Sequence, residues 1–289
     1  MERELVKTQR PSERSLAISI VVNVEEGSEL GVLPEDKGNE PIDEMGISLR
    51  SEYRNHGNVT NYQYGLLEGC PRVVAALDSV QTPATWTCAA LALERSPHVA
   101  EAIVARGDEA ACHGHRWAHQ FRMDEEQERE FIVSARDSIE RTAGRRPRGH
   151  LSRYLHTSRT RELLVQEGFD YHMDDYSRDK PFWDVTPSGP IVVLPYAIDT
   201  NDMKMWASGS YTPEMWLRYA TDTFDTLYAE RREGFRLMSL GVHLRIIGRP
   251  GRIWALTRFL EHVRSHDDVW PVTREQLAEE FASATGKPK

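Results

Sequence analysis

Three short stretches carry side chains whose type and spacing suit acid–base chemistry. Glu25 and Glu26 are adjacent and directly follow the β-branched run AISIVVNV at 17–24. Two carboxylates held close together push one pKa upward, which suits one of them for general-base work near neutrality. The stretch CHGHRWAHQ at 112–120 places His113, His115 and His119 around Trp117, in a chain with eleven histidines among 289 residues. His115 and His119 are four apart and would share one helix face, as a pair of metal ligands does. In the other register, His113 is the inward residue at a strand end. His243 closes the run RLMSLGVH and precedes the Gly/Pro turn of IIGRPGR. Each feature has a bland counterpart, since loop acids and surface histidines are common.

Three further stretches could bind a small polar molecule. GRRPRGH at 144–150 presents Arg146, a rigid guanidinium suited to a carboxylate or a polarised carbonyl. HMDDYSRDKPFW contains Asp174 and Trp183, and DTNDMKMW contains Trp206. Acids beside a tryptophan suit a pocket with a flat apolar wall and a few polar anchors. Core packing of the two tryptophans is the competing reading.

The surrounding elements give these residues a common place. A strand at 17–24 is followed by a polar, Gly- and Asn-rich stretch from about 26 to 65 without clear periodicity. A loop that long is functional or disordered. Beyond it, helices at 69–79 and 89–105 alternate with strands ATWT and EAACHGH, and a helix opens at DEEQEREF. Further helices are SRTRELLVQEGF, stopped by Gly168, PEMWLRYATDTFDTLYAERREGF, stopped by Gly234, and RIWALTRFLEHV. Strand–helix alternation of this kind reads as a parallel sheet or (β/α) barrel. EEG, CHGH, MDD and GVH each end a strand, and the carboxyl ends of parallel strands converge on one rim. Four independent runs therefore deliver Glu, His, Asp and His to one place.

Bulk properties bound the reading. The net charge of −9, without a long Lys/Arg block, argues against a nucleic-acid surface. The longest apolar runs are strand-sized, well short of the roughly 20 residues that span a bilayer. No signal peptide is legible in MERELVKTQRPSERS, and the three cysteines form no CxxC pair, so the expected location is the cytoplasm. The expected organisation is a polar extension at 1–15 and one catalytic domain at 16–289.

The order EEG, HGHRW, RRPRG, DYHMDD and GVH resembles the motif series of polysaccharide deacetylases with NodB homology. VVNVEEGSE, NYQYGLLEG, CHGHRW, LPYAIDTNDMKMW and HLRIIGRPGR are most similar to a subgroup, the deacetylase-type allantoinases and cyclic imide hydrolases. The resemblance spans about residues 17–275 and implies an α/β fold, a single-domain distorted (β/α) barrel. It departs from the deacetylase pattern at two places. Glu25–Glu26 replaces a pair of aspartates, one base and one metal ligand. If His113 is the first metal histidine, the second position is Trp117; if His115 is the first, His119 completes the pair. The HG dipeptide matches the former register, and the allantoinase-like subgroup is one that does not require metal.

The resemblance implies a hydrolase of non-peptide C–N bonds that opens a small cyclic amide, imide or ureide ring. Glu25, Glu26, His113 and His243 would be catalytic, and Trp117, Arg146, Asp174, Trp183 and Trp206 would bind substrate. No cofactor would be required, or a divalent zinc, nickel or manganese ion would be held by Glu26, His113 and His119. A homo-oligomer, a tetramer by analogy, with no nucleic-acid or membrane partner completes the expectation. Two alternatives remain open: a metal-dependent N-deacetylase or deformylase of an acylated amine or sugar, and a non-catalytic binding protein on the same fold.

Overall fold

Alternation along the first strand sorts the whole molecule into two layers. In β1 (Leu16–Val24), Leu16, Ile18, Ile20, Val22 and Val24 join one apolar cluster, while Ala17 and Val21 join another. Successive side chains of a strand point to opposite faces, so β1, buried along its full length, belongs to both cores. The computed structural model describes residues 15–206 and 211–288; residues 1–14 of the expected N-terminal extension lie outside them.

The remaining strands are β2 (Ala84–Cys88), β3 (Glu109–Cys112), β4 (Gly149–His150), β5 (Tyr171–His172), β6 (Phe182–Thr186), β7 (Gly189–Val193), β8 (Arg236–His243) and β9 (Trp270–Pro271). They form one sheet in the order β6–β7–β5–β4–β3–β2–β1–β8, with β9 also beside β1. Every pairing is parallel except the β6–β7 hairpin. The sheet curls into an open half-barrel, the distorted (β/α) barrel expected from the sequence. Helices at Cys70–Ser79, Pro97–Arg106, Glu125–Ala143, Pro213–Glu230 and Ile253–Arg264 cover its outer face. The C-terminal helix Arg274–Thr285 packs Leu277, Ala278 and Phe281 against the inner face.

Three local features depart from the sequence reading. The polar stretch contains a helix at His56–Tyr64, capped by the Asn55 side chain on the Asn58 amide. Its surface is polar on nearly every side, so it lacks the apolar stripe that betrays a helix. The helix expected at 69–79 continues a π-helical turn at Gly65–Gly69. The helix expected at 89–105 is two, Ala90–Arg95 and Pro97–Arg106, because Pro97 has no amide to donate and begins a new helix.

Close backbone approach explains two glycines. A Cβ on Gly69 would lie 2.1 Å from the Leu244 carbonyl oxygen, and one on Gly248 would lie 2.4 Å from Gly69 Cα. These contacts seat the π-turn against the segment that follows β8. Gly69→Ala should therefore cost about 1–3 kcal/mol from overpacking against backbone that cannot yield. Thermal denaturation reads this directly, and an unchanged midpoint would contradict the close packing.

Candidate active site

The inner-face alternation continues past the strand ends and selects the site residues. Glu25 follows the inner series Ala17, Ser19, Val21, Asn23; His113 follows Glu109 and Ala111; His243 follows Leu237, Ser239 and Gly241. The three side chains meet. Glu25 Oε1 lies 3.4 Å from His113 Nε2 and 3.3 Å from His243 Nε2, and Oε2 lies 2.9 Å from Arg245 Nη1. None is more than 5% exposed, so these groups act on one another with little screening by water.

Each histidine is oriented from behind. His113 Nδ1 lies 2.6 Å from the Leu151 carbonyl oxygen, to which it must donate, leaving Nε2 to face Glu25. His243 Nδ1 donates to Asp202 Oδ1 at 2.6 Å, and the His243 and Ile247 amides donate to Asp202 Oδ2 at 2.8 and 3.1 Å. Asp202 opens a short 3₁₀ turn, Asp202–Met205, capped by Asn201, and is fully buried. Burial pulls the His243 pKa down, but the Glu25 and Asp202 carboxylates outweigh it and push it up to about 10. Burial likewise raises Glu25, yet His243, Arg245 and the His113 contact hold it well below the usual carboxylate range. At neutral pH the site is thus a carboxylate facing an imidazolium.

Glu26 points the other way. Its carboxylate accepts from the amides of Glu25 and Arg245, both at 3.0 Å, and lies against Gly65 on the outer side. Burial raises its pKa, partly offset by Arg245. Arg245 itself is fully buried, reaches Glu25, Glu26 and Glu44, and lies over the rings of Tyr62 and Trp117 at 4.3 and 5.4 Å. Glu44 sits in the polar stretch that the sequence leaves without periodicity. The same stretch pairs Glu40 with Arg153, whose guanidinium lies 3.5 Å from the centre of the Trp117 ring.

The other sequence candidates are dispersed. Asp174 is buried and accepts from the Ser152 amide at 2.6 Å. Arg146 is exposed and donates to the Glu167 carbonyl. Trp183 stands on β6, donates to Thr285 Oγ1 and packs against Phe281. Trp206 packs on the outer core with Arg252 above it. Asp202 and Arg245 were not singled out from sequence. Their quoted motifs contain them, but nothing local marks an acid 41 residues before its histidine as its partner.

The metal set expected by resemblance does not converge. Glu26 is engaged by two backbone amides, position 117 is tryptophan, and His119 is exposed with Nδ1 on the Arg153 carbonyl at 2.8 Å. Among the described residues, the group that could hold an ion is His150, His172 and Asp174, all buried. No helix among them is long and apolar enough to cross a membrane.

The comparisons with known proteins agree with this architecture. The polysaccharide deacetylase family model matches residues 59–172. A Schizosaccharomyces pombe protein assigned to the polysaccharide deacetylases is 32% identical over 297 residues, covering 94% of this chain and 92% of its own. The chain belongs to the polysaccharide deacetylase family. Two solved structures superpose on this family member at a TM-score of 0.91. One is a Pseudomonas aeruginosa protein assigned as a polysaccharide deacetylase, 34% identical; the other is PuuE allantoinase, 35% identical; each match covers 98% of both chains. This polysaccharide deacetylase homologue is a hydrolase of carbon–nitrogen bonds.

The charged pair also sets a pH dependence of stability. His243 has a folded pKa of about 10 against an ordinary 6.5, so its contribution is complete below about pH 6.5 and is lost as pH rises through 10. Glu25 is depressed below its ordinary 4.5, so its contribution is present above that value and is lost as pH falls through the lower folded one. The stability difference between the parent and His243→Gln should therefore shrink from pH 7 to 10. A difference constant over that range would contradict a buried imidazolium.

Proposed function

We propose that this protein hydrolyses a small cyclic amide, imide or ureide, opening the ring at a C–N bond. The observation that supports this most is Glu25, a carboxylate set between two histidines, one of them, His243, held as an imidazolium by Glu25 itself together with Asp202. Glu25 takes a proton from water as the oxygen attacks the ring carbonyl. Substrate entering beside Glu25 weakens its contact with the histidines, which restores basicity to the carboxylate. Arg245 and His243 present cationic donors to the oxygen that becomes negative in the tetrahedral adduct. His243 then gives its proton to the departing nitrogen, and the proton on Glu25 returns through His243 or solvent.

The nearly closed surroundings and the rings of Tyr62 and Trp117 suit a planar ring more than an extended chain of sugars. PuuE is an allantoinase, and its likeness across the full chain supports the ring-opening reading. The family match supports a second one, removal of an acyl group from an amine or sugar. Both are tested by one panel: allantoin, hydantoins, dihydropyrimidines, succinimide-type imides and lactams beside N-acetylated and N-formylated amines and N-acetylglucosamine oligomers. Turnover of a ring compound with no release of acetate or formate is the expected result. Acetate or formate release alone would replace the proposal with the deacylase.

A further inference from the structure

On the outer face of the sheet, behind the site, several polar side chains are closed in without enough partners. His150 pairs in register with Cys112, whose side chain belongs to the outer core, and His172 pairs with His150. The flanking Leu151, Tyr171 and Met173 belong to the inner core, so alternation turns His150, His172 and Asp174 outward. His150 is fully buried, yet neither ring nitrogen makes a hydrogen bond. Ser152 Oγ, two residues further, is also buried and unbonded. His172 Nε2 lies 2.7 Å from Asp174 Oδ2 without hydrogen-bond geometry. Buried polar atoms without partners are rare because each loses its solvation, and their clustering marks a place built for something else.

The spacing says what. His150, His172 and Asp174 each offer one ligand atom within 4.8 Å of the others. Two ligands at zinc distances around a tetrahedral ion stand about 3.3 Å apart, so the 2.7 Å between His172 Nε2 and Asp174 Oδ2 opens slightly when an ion enters between them. We propose that these three residues form a structural site for a divalent transition metal of the zinc class. Two imidazoles and a carboxylate are a zinc-type donor set, whereas calcium and magnesium prefer oxygen ligands. Asp174 is oriented from behind by the Ser152 amide at 2.6 Å and the Tyr176 hydroxyl at 3.3 Å, the usual support for a ligating carboxylate.

One neighbour must adjust. Arg161 Nε lies 3.3 Å from His172 Nδ1, and a ring that ligates through Nε2 carries its proton on Nδ1. The guanidinium already pairs with Asp175 at 3.1 Å and Asp184 at 2.8 Å, and it turns fully to them when the ion binds. The site faces away from Glu25 and has no open approach for a substrate, so its role is to tie β4, β5 and the chain beyond them together. Leu151, whose carbonyl holds His113, directly follows His150; the ion would therefore stiffen the support of a residue across the sheet.

The proposal does not rest on the proposed reaction, and its test reads metal rather than turnover. The full chain is stripped with a chelator, incubated with zinc or cobalt, desalted and analysed for bound metal. About one ion per chain is expected. Cobalt should give a visible d–d band of nitrogen and oxygen ligation. His150→Leu should lower the stoichiometry to near zero while its circular dichroism stays that of the parent, and His119→Ala should keep the full amount. If His150→Leu does not fold, His172→Asn gives the same readout. A parent chain that retains neither zinc nor cobalt would overturn the site. So would metal lost from His119→Ala and retained by His150→Leu, or an ordered water in place of the ion in crystals grown with zinc.

Discussion

Glu25→Gln is expected to lower kcat by about two to four orders of magnitude, the usual scale for removing a general base. The change keeps the size of the side chain but removes its negative charge, so neither Arg245 nor His243 loses its neighbour sterically. It does lose the carboxylate that helps keep His243 charged, so the His243 pKa should fall in the same variant. Glu26→Gln is the companion experiment. Glu26 faces the outer side and accepts from the amides of Glu25 and Arg245, so its loss should affect positioning and stability before chemistry. Steady-state kinetics on the substrate found in the ring-and-acyl panel decides between them. A Glu25→Gln enzyme within a few-fold of the parent, beside a dead Glu26→Gln, would move the base to the second carboxylate.

His243→Asn should produce a loss of similar size, about two to four orders of magnitude, with a signature that a purely structural role would not give. The imidazolium is assigned to protonating the departing nitrogen. Its removal should therefore matter most for rings whose nitrogen leaves poorly and least for imides, whose nitrogen leaves as a stabilised anion. The slope of log kcat against leaving-group acidity should steepen in the variant. Asp202→Asn should repeat that behaviour more weakly, because it leaves the imidazole in place but withdraws the carboxylate that orients and charges it. An equal loss across all rings, with unchanged slope, would remove His243 from the proton-transfer step.

Much of the fold was legible in residue order because its determinants are local. The β-branched run at 17–24 and the helix stop at Gly168 act within a few positions of themselves, whereas the helix expected to run to Gly234 ends already at Glu230. Strand ends carrying EEG, CHGH and GVH could be read as one rim because parallel α/β topology sends those ends to the same side, whereas MDD, read to the same rim, leaves Asp174 on the outer face beside His172. The His56–Tyr64 helix escaped notice for the matching reason: its polar residues leave no apolar stripe to read.

The composition of the site divides in the same way. Sequence placed Glu25, Glu26, His113 and His243 near one another, but two adjacent acids after a strand can turn to either face. Tertiary structure decided that Glu25 continues the inner series of β1 while Glu26 is taken up by backbone amides behind it. Asp202 and Arg245 became visible only in three dimensions, since each acts on a residue tens or hundreds of positions away. The buried His150, His172 and Asp174 likewise come together through the register of β4 and β5, a pairing that no local pattern encodes. Local alternation sets which way a side chain points, and the packing of distant strands sets what it meets there.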